Sequence, residues 1–265
     1  MSDVLDEVFF ADPFSSGKVR GFVIAQRIMF TILSAFFALG VSQPVFAQSA
    51  MVTHADIDHD AGAWGFVFLR ARIRPGIQGQ LELSPRIGED FSQLQSILIR
   101  PSIIFSITPQ ISGSVGYLAQ LRWDAEGFDS VEHRVWEQVQ GNFDLGPVVL
   151  IPRIRFEQRL RDADSSQIAH RLRTMLRAQI PVLRDERRQT VINIVVFDEL
   201  FTNLGGVSGW TEGGFDQNRA FLGANARLGE GVVLETGYMN QFINPFGDGA
   251  DRMAHLWIVN LSIDF

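Results

Sequence analysis

The chain has 265 residues, a formal charge of -7 and a pI near 5.2. That acidic balance argues against nucleic acid as a partner. The absence of cysteine excludes disulfides, thiolate metal sites and a cysteine nucleophile. Lysine occurs once, at Lys18, so arginine carries nearly all the basic charge. Planar, forked guanidiniums suit packed polar networks and phosphate binding.

The first element is a delivery signal. Residues 29–41, "MFTILSAFFALGV", form a short apolar run after Lys18, Arg20 and Arg27, and "VFA" at 45–47 supplies a cleavage site. This is the layout of a secretory signal peptide. The run is too short for a spanning helix, which takes about 20 residues. Cleavage is expected after Ala47, so residues 1–47 are the leader and the mature chain begins at Gln48. The acidic residues 1–17 do not look like a signal start and read as a mis-called start codon. Residues 48–62 read as a flexible mature N-terminus. Within it "HADIDHD" (54–60) groups two histidines and three aspartates, a solvated stretch rather than a metal site.

From residue 63 the apolar period is two, which signals strands. Segments 63–74 and 77–84 keep one parity through Val67, Leu69, Ala71, Ile73, Ile77, Leu81 and Leu83. They fit two strands with a tight turn or one long strand. In 97–107 every second residue is apolar, from Ile97 to Ile107. In 111–123 Ile111, Val115, Tyr117, Ala119, Leu121 and Trp123 oppose Ser112, Ser114, Gln120 and Arg122. A weaker segment follows at 131–143. In 147–161 Val148, Leu150, Ile154, Phe156 and Leu160 oppose Arg153, Arg155, Glu157, Arg159 and Arg161. In 168–183 Leu172, Leu176, Ile180 and Val182 oppose Arg171, Arg173, Arg177 and Gln179. After a weak segment at 189–200, residues 215–228 set Ala220, Leu222, Ala224, Ala226 and Leu228 against Gln217, Arg219, Asn225 and Arg227. In 231–243 Val232, Leu234, Tyr238 and Phe242 oppose Glu235 and Gln241. The last segment, "HLWIVNLSIDF", alternates through Trp257, Val259, Leu261, Ile263 and Phe265.

Connections alternate in length. "TPQ" (108–110), "LGP" (145–147), "RDERRQ" (184–189) and "GEG" (229–231) are short, while "DAEGFDS" (124–130), "DADSSQ" (162–167), "FTNLGGVSGWTEGG" (201–214) and "NPFGDGAD" (244–251) are longer. Short turns on one side and longer loops on the other describe an outer-membrane barrel with periplasmic turns. The signal peptide, the strand lengths and the aromatics toward strand ends all favour lipid on the outside. A closed barrel is also the way to place sheet in lipid without an unpaired edge. The expected fold is therefore all-β, a transmembrane up-and-down antiparallel β-barrel over 63–265. Eleven segments can be counted. Two periplasmic termini require an even number, so the expectation is ten to twelve strands, with twelve favoured.

The terminal strand ending on Phe265 resembles the recognition signal read by the assembly machinery of bacterial outer-membrane barrels. Its carriers are Trp257, Val259, Leu261, Ile263 and Phe265. Trp64, "LIRPSIIFSI" with Arg100, "GYLAQ", "HRVWEQV" (133–139), "RFEQRL" (155–160), "RLRTMLR" (171–177), "FDELF" (197–201), "FDQNRAFLG" (215–223) and "ETGYMNQ" (235–241) resemble the bacterial outer-membrane family catalogued as domain-of-unknown-function family 2490. That resemblance implies an outer-membrane barrel and no particular activity.

With apolar rows facing lipid, the lumen-lining candidates are Arg100, Arg122, Arg153, Arg155, Glu157, Arg159, Arg171, Arg173, Arg177, Arg219, Arg227 and Glu235. Arg134, Glu82 and Glu199 share the inner face, and one register sets Glu157 opposite Arg173. Two outcomes follow. The leading one is a narrow arginine-lined pore for small polar or anionic solutes, since arginine rings favour anions. The alternative is a closed structural or interaction barrel, its lumen plugged by ion pairs, as small barrels fill their interiors with side chains. A third reading is a lipid-modifying enzyme of the outer membrane, with His133, His170 and His255 on the outer wall. The neighbours assignable to His133 are Leu121, Trp123, Phe156 and Leu160, with no hydroxyl, so no catalytic residues are expected. Nor are cofactors or metals. Expected partners are the outer membrane with its lipopolysaccharide and, during biogenesis, the Sec translocon and the barrel-assembly machinery. Alternation also turns Glu137 outward, where a carboxylate in lipid is costly and a functional candidate.

Overall fold

The computed structural model describes residues 57–161, 164–185, 189–247 and 249–265, with 164–166 as backbone only. The signal-peptide reading and His54 and Asp56 of the acidic leader lie outside these residues. Every regular element described is a strand: β1 (Asp58–Arg74), β2 (Ile77–Gly88), β3 (Gln93–Ser106), β4 (Ile111–Asp124), β5 (Gly127–Gly141), β6 (Phe143–Asp144), β7 (Val149–Arg161), β8 (Asp164–Arg184), β9 (Thr190–Asn203), β10 (Gly214–Gly229), β11 (Val232–Ile243) and β12 (Arg252–Asp264). Consecutive strands pair as antiparallel neighbours, apart from the two-residue β6, which only flanks β7. β5 pairs directly with β7, and β1 pairs with β12, so the sheet closes into an eleven-strand barrel. Closure leaves no edge unpaired.

The closing pair differs from the expected even ring. β1 and β12 run parallel, from Asp58↔Arg252 to Arg70↔Asp264. An odd number of up-and-down staves must meet in parallel, because the first and last then point the same way. Phe265 therefore shares one end with the tight turns at 75–76, 107–110 and 230–231. Ile57 stands at the other end, beside the loops at 89–92 and 204–213. The two termini of the barrel are not on one side, as the even-number argument required. At the first of these ends, Gly231 takes φ 68, and a Cβ there would overlap the backbone oxygen of Asp264. At the other, Glu89, Asp90 and Phe91 are all left-handed, with φ of 50, 52 and 66. That conformation costs non-glycine residues free energy. Here Phe91 donates its amide to Ala61 O (3.2 Å) and Asp90 to Asp60 Oδ1 (3.1 Å), tying the loop to β1.

Strand ends moved more than strand faces. β1 starts at Asp58, five residues before the segment expected at 63, so His59 and Asp60 belong to a stave. The 124–130 connection tightens to a turn at 125–126, and β8 extends back to Asp164. The faces follow the alternation. Ile99, Ile103, Val115, Val135, Ile154, Leu222, Trp257 and Val259 are exposed on the outer wall. The inner wall is divided. On the β9–β12 and β1 side, Trp64, Val195, Phe221, Met239, Leu256 and Ile258 form an apolar cluster. On the β2–β8 side the inward row is charged. Glycine allows the bulkiest fillers in. The indole of Trp136 lies over Gly116, where any Cβ would collide with the ring.

Candidate functional site

Ion pairs between strands that are not neighbours can form only across the concave side of the sheet. Arg153 on β7 donates to Glu199 on β9 at 2.5 Å, Arg171 on β8 reaches Asp216 near the start of β10 at 2.8 Å, and Arg177 on β8 bonds Glu235 on β11. These contacts fix the charged face as the lumen. They join into one lattice. Glu157 accepts from Arg171 and Arg173, each at 2.7 Å, with Arg134 at 3.8 Å. Glu199 also accepts from Arg173 at 2.8 Å. Glu132 accepts from Arg122 (2.7 Å), Arg134 (2.8 Å) and Arg159 (2.7 Å). Arg100 grips both oxygens of Glu82 at 2.7 and 2.5 Å. Glu235 also receives Asn260 at 2.9 Å.

Glu132, Glu157 and Glu199 are each shared by two or more arginines, so guanidiniums outnumber acids in the lattice. Aromatic rings absorb part of the excess, through the attraction of a cation for a ring face. Arg173, Arg171 and Arg219 lie 4.3, 5.1 and 4.6 Å from the centroid of Phe201, which is wholly buried. Arg155 stacks on Trp136 at 4.1 Å while donating to Gln138 at 2.6 and 2.9 Å. Glu132 and Glu157 are 1% exposed and Glu199 3%, so these carboxylates are packed beneath their arginines. The loop between β9 and β10 reaches the arginines of β7. It folds back through a Val207↔Thr211 bridge and buries Trp210 against Arg159 and Arg161, at 5.1 and 4.7 Å.

Of the residues expected in the lumen, Arg100, Arg122, Arg153, Arg155, Glu157, Arg159, Arg171, Arg173, Arg177, Arg219 and Glu235 share this inner face. Arg227 does not join the lattice. It is exposed at the end that carries Phe265 and donates to Gln189 at 3.1 Å. The expected register of Glu157 against Arg173 is displaced by two residues, to Glu157↔Arg171 and Arg155↔Arg173, because Arg161 already pairs with Asp164, a tighter connection than a 162–167 loop, and the bulge between Arg159 and Arg161 makes up only part of the difference. Glu157 still holds both arginines through a diagonal contact. Sequence reasoning missed Glu132, the second hub. Its position two residues before Arg134, on the same face, was the available signal. It also missed Arg86 and the inward Trp64.

The outer wall carries its own polar pairs. Both tyrosines of the chain bond a histidine on the next strand, Tyr117 with His133 and Tyr238 with His255 at 2.6 Å. The hydroxyl said to be lacking beside His133 is thus present, supplied by Tyr117. Each pair gives an imidazole on the exposed outer wall a hydroxyl partner. His170 stacks on Phe156 in the same diagonal position. Glu137 points outward, as the alternation required, and accepts from Gln158 at 3.2 Å. His59 stacks on His255, and among the described residues no group of three or more metal-binding side chains is found.

A family model described as "Protein of unknown function (DUF2490)" matches residues 61–253. An uncharacterised protein of Methylorubrum extorquens is 29% identical over 187 residues, covering 69% of this chain and 79% of that protein. Among solved structures, an anion-selective porin from Comamonas acidovorans aligns at 10% identity with a TM-score of 0.36. That alignment covers 73% of this chain and 56% of the porin, so the chain spans little more than half the porin's length.

Proposed function

The chain belongs to the DUF2490 family, which is defined without an activity, and from its lumen we propose an outer-membrane barrel that passes small anions through an arginine-lined channel held shut at rest. The observation that carries this reading is the inner lattice, where Glu132 and Glu157 are each shared by three or more arginines. A lumen rich in fixed guanidiniums attracts anions and repels cations. The apolar outer wall supports placement in a bilayer, and the leader before Gln48 supplies export to the outer membrane. The 1% exposure of Glu132 and Glu157, with Trp210 seated above them, supports closure at rest. The same burial is what favours the second reading, a permanently closed structural barrel.

Planar-bilayer recording separates the two, using protein purified from outer membranes of cells expressing the full chain. The pore reading expects infrequent, small, anion-selective steps in the wild type and a higher open probability in Trp210→Ala. Arg155→Glu should move selectivity toward cations. Folded, heat-modifiable barrels that stay silent in all three forms would establish the closed barrel instead.

Bilayer placement makes a separate prediction at Glu137. A carboxylate on the lipid face costs somewhat less than the roughly 2–4 kcal/mol of a mid-bilayer arginine or lysine. Glu137→Leu is therefore expected to stabilise the barrel by about 1–2 kcal/mol in phospholipid vesicles, read from urea unfolding. A loss of stability would mean that this wall is covered by something other than lipid.

A further inference from the structure

One corner of the lumen, beside the lattice, holds more positive charge and hydrogen-bond donors than the chain's own acceptors there satisfy. Trp64 on β1 pairs with Arg86 on β2, and the Arg86 guanidinium lies 3.8 Å from the indole centroid. Arg219, from β10, lies 4.9 Å from the same centroid. The two cations are therefore no farther apart than the sum of those distances. Among the described residues neither makes an ion pair within 4 Å; Glu199 stands opposite Arg219 across β9 and β10 but bonds Arg153 and Arg173 instead. The acid on the same strand, Glu82, is held by Arg100 through both oxygens. The single polar contact of Arg219 is a long one to Gln217 at 3.5 Å.

Two neutral groups here, Trp64 and Ser84, are also unsatisfied, and both can donate. Trp64 is 5% exposed and its Nε1 has no partner. Ser84, two residues before Arg86 in the same inward row, is fully buried with its Oγ unpartnered. The Nε atoms of Arg86 and Arg219 are buried and unpaired. Stacking on an indole covers the faces of a guanidinium and leaves its N–H edges without acceptors. Buried charges are normally paired and buried donors normally bonded. Two cations and two neutral donors in one corner lack one thing, a group that is negative and only accepts. Every other charged cluster of the lumen has its acid from the chain.

We propose that Trp64, Ser84, Arg86 and Arg219 bind a small oxyanion of the phosphate or sulfate class. Phosphate and sulfate present several acceptor oxygens and match guanidinium edges in a bidentate manner. Arg86 and Arg219 each keep partial exposure, so the anion arrives from solvent without dismantling the lattice. The site rests on the anion-channel reading and deepens it by naming the solute class and the place where it pauses. Binding is nevertheless measurable without current.

The test is thermal unfolding of the purified full-length barrel in detergent, titrated with inorganic phosphate or sulfate at constant ionic strength in chloride. A saturable rise of roughly 5 °C is expected when the anion exceeds its Kd a hundredfold. Arg86→Gln and Ser84→Ala should lose most of that response. Arg86→Gln should also be at least as stable as the wild type without phosphate, because it removes an uncompensated charge. An absent phosphate response in the wild type, or an equal response in wild type and Arg86→Gln, overturns the site. Saturable binding by a barrel that never conducts would sustain the site and defeat the channel. Anion-selective current without any phosphate response would do the reverse.

Discussion

Glu157→Ala is expected to destabilise the barrel by about 3–5 kcal/mol, the cost of stripping a buried ion pair of one partner. The side chain is 1% exposed and holds Arg171 and Arg173 at 2.7 Å each. Its removal leaves Arg171 with Asp216 alone and Arg173 with Glu199, itself shared with Arg153. Urea unfolding in phospholipid vesicles, followed by tryptophan fluorescence, measures the loss. Arg227→Ala, on the exposed rim, is the control and should stay within about 0.5 kcal/mol of the wild type. Replacing the pair together, Glu157→Leu with Arg171→Leu, should recover only part of the loss: apolar groups avoid the desolvation cost of both ions, but Arg173 loses one acid and Asp216 loses Arg171. A loss under about 0.5 kcal/mol for Glu157→Ala would show that water enters readily to solvate the orphaned arginines. The mid-lumen layer would then be a hydrated constriction rather than a packed one.

The faces of the staves were legible because a single parity error moves every side chain to the wrong side of the sheet. Alternation therefore placed Arg155, Glu157, Arg171 and Arg173 inward and Glu137 outward with no knowledge of the partners. What alternation cannot supply is height. Which acid meets which arginine depends on where each hairpin turns, as where β8 begins at Asp164 opposite Arg161, on bulges such as the one between Arg159 and Arg161, and on the stagger accumulated around the ring. So Glu157 was set against Arg173 instead of Arg171, and Arg153–Glu199 and Arg219–Trp64, which span intervening strands, were out of reach. Strand number falls within the expected ten to twelve, but the ring itself is odd. The sequence holds eleven alternating segments, and the barrel closes with eleven staves. The even-number rule, taken from barrels with both termini on one side, turned a correct count toward twelve. The twelfth strand, β6, is a two-residue flank outside the ring.

That odd count has its sharpest consequence at the seam. Parallel closure keeps the difference between partner numbers constant, so Ala63 meets Trp257 and Val67 meets Leu261. Antiparallel closure would keep the sum constant and exchange the partners, joining 63 to 261 whenever it joins 67 to 257. All four side chains lie on the outer wall, and the chain has no cysteine to interfere. Ala63→Cys with Trp257→Cys, and Val67→Cys with Leu261→Cys, are each expected to cross-link nearly completely under mild oxidation. Partners directly across a seam meet the Cα separation that a disulfide needs. The exchanged pairs, 63 with 261 and 67 with 257, should stay reduced, since each is displaced by four residues, about 13 Å along a strand. A cross-linked chain stays looped in denaturant and migrates faster until reduced, so gels read the result. The exchanged pairs forming instead would mean an even ring, with both ends of the barrel on one side. The expected pairs place Ile57 and the acidic turn onto β1 at the loop end, across the barrel from Phe265.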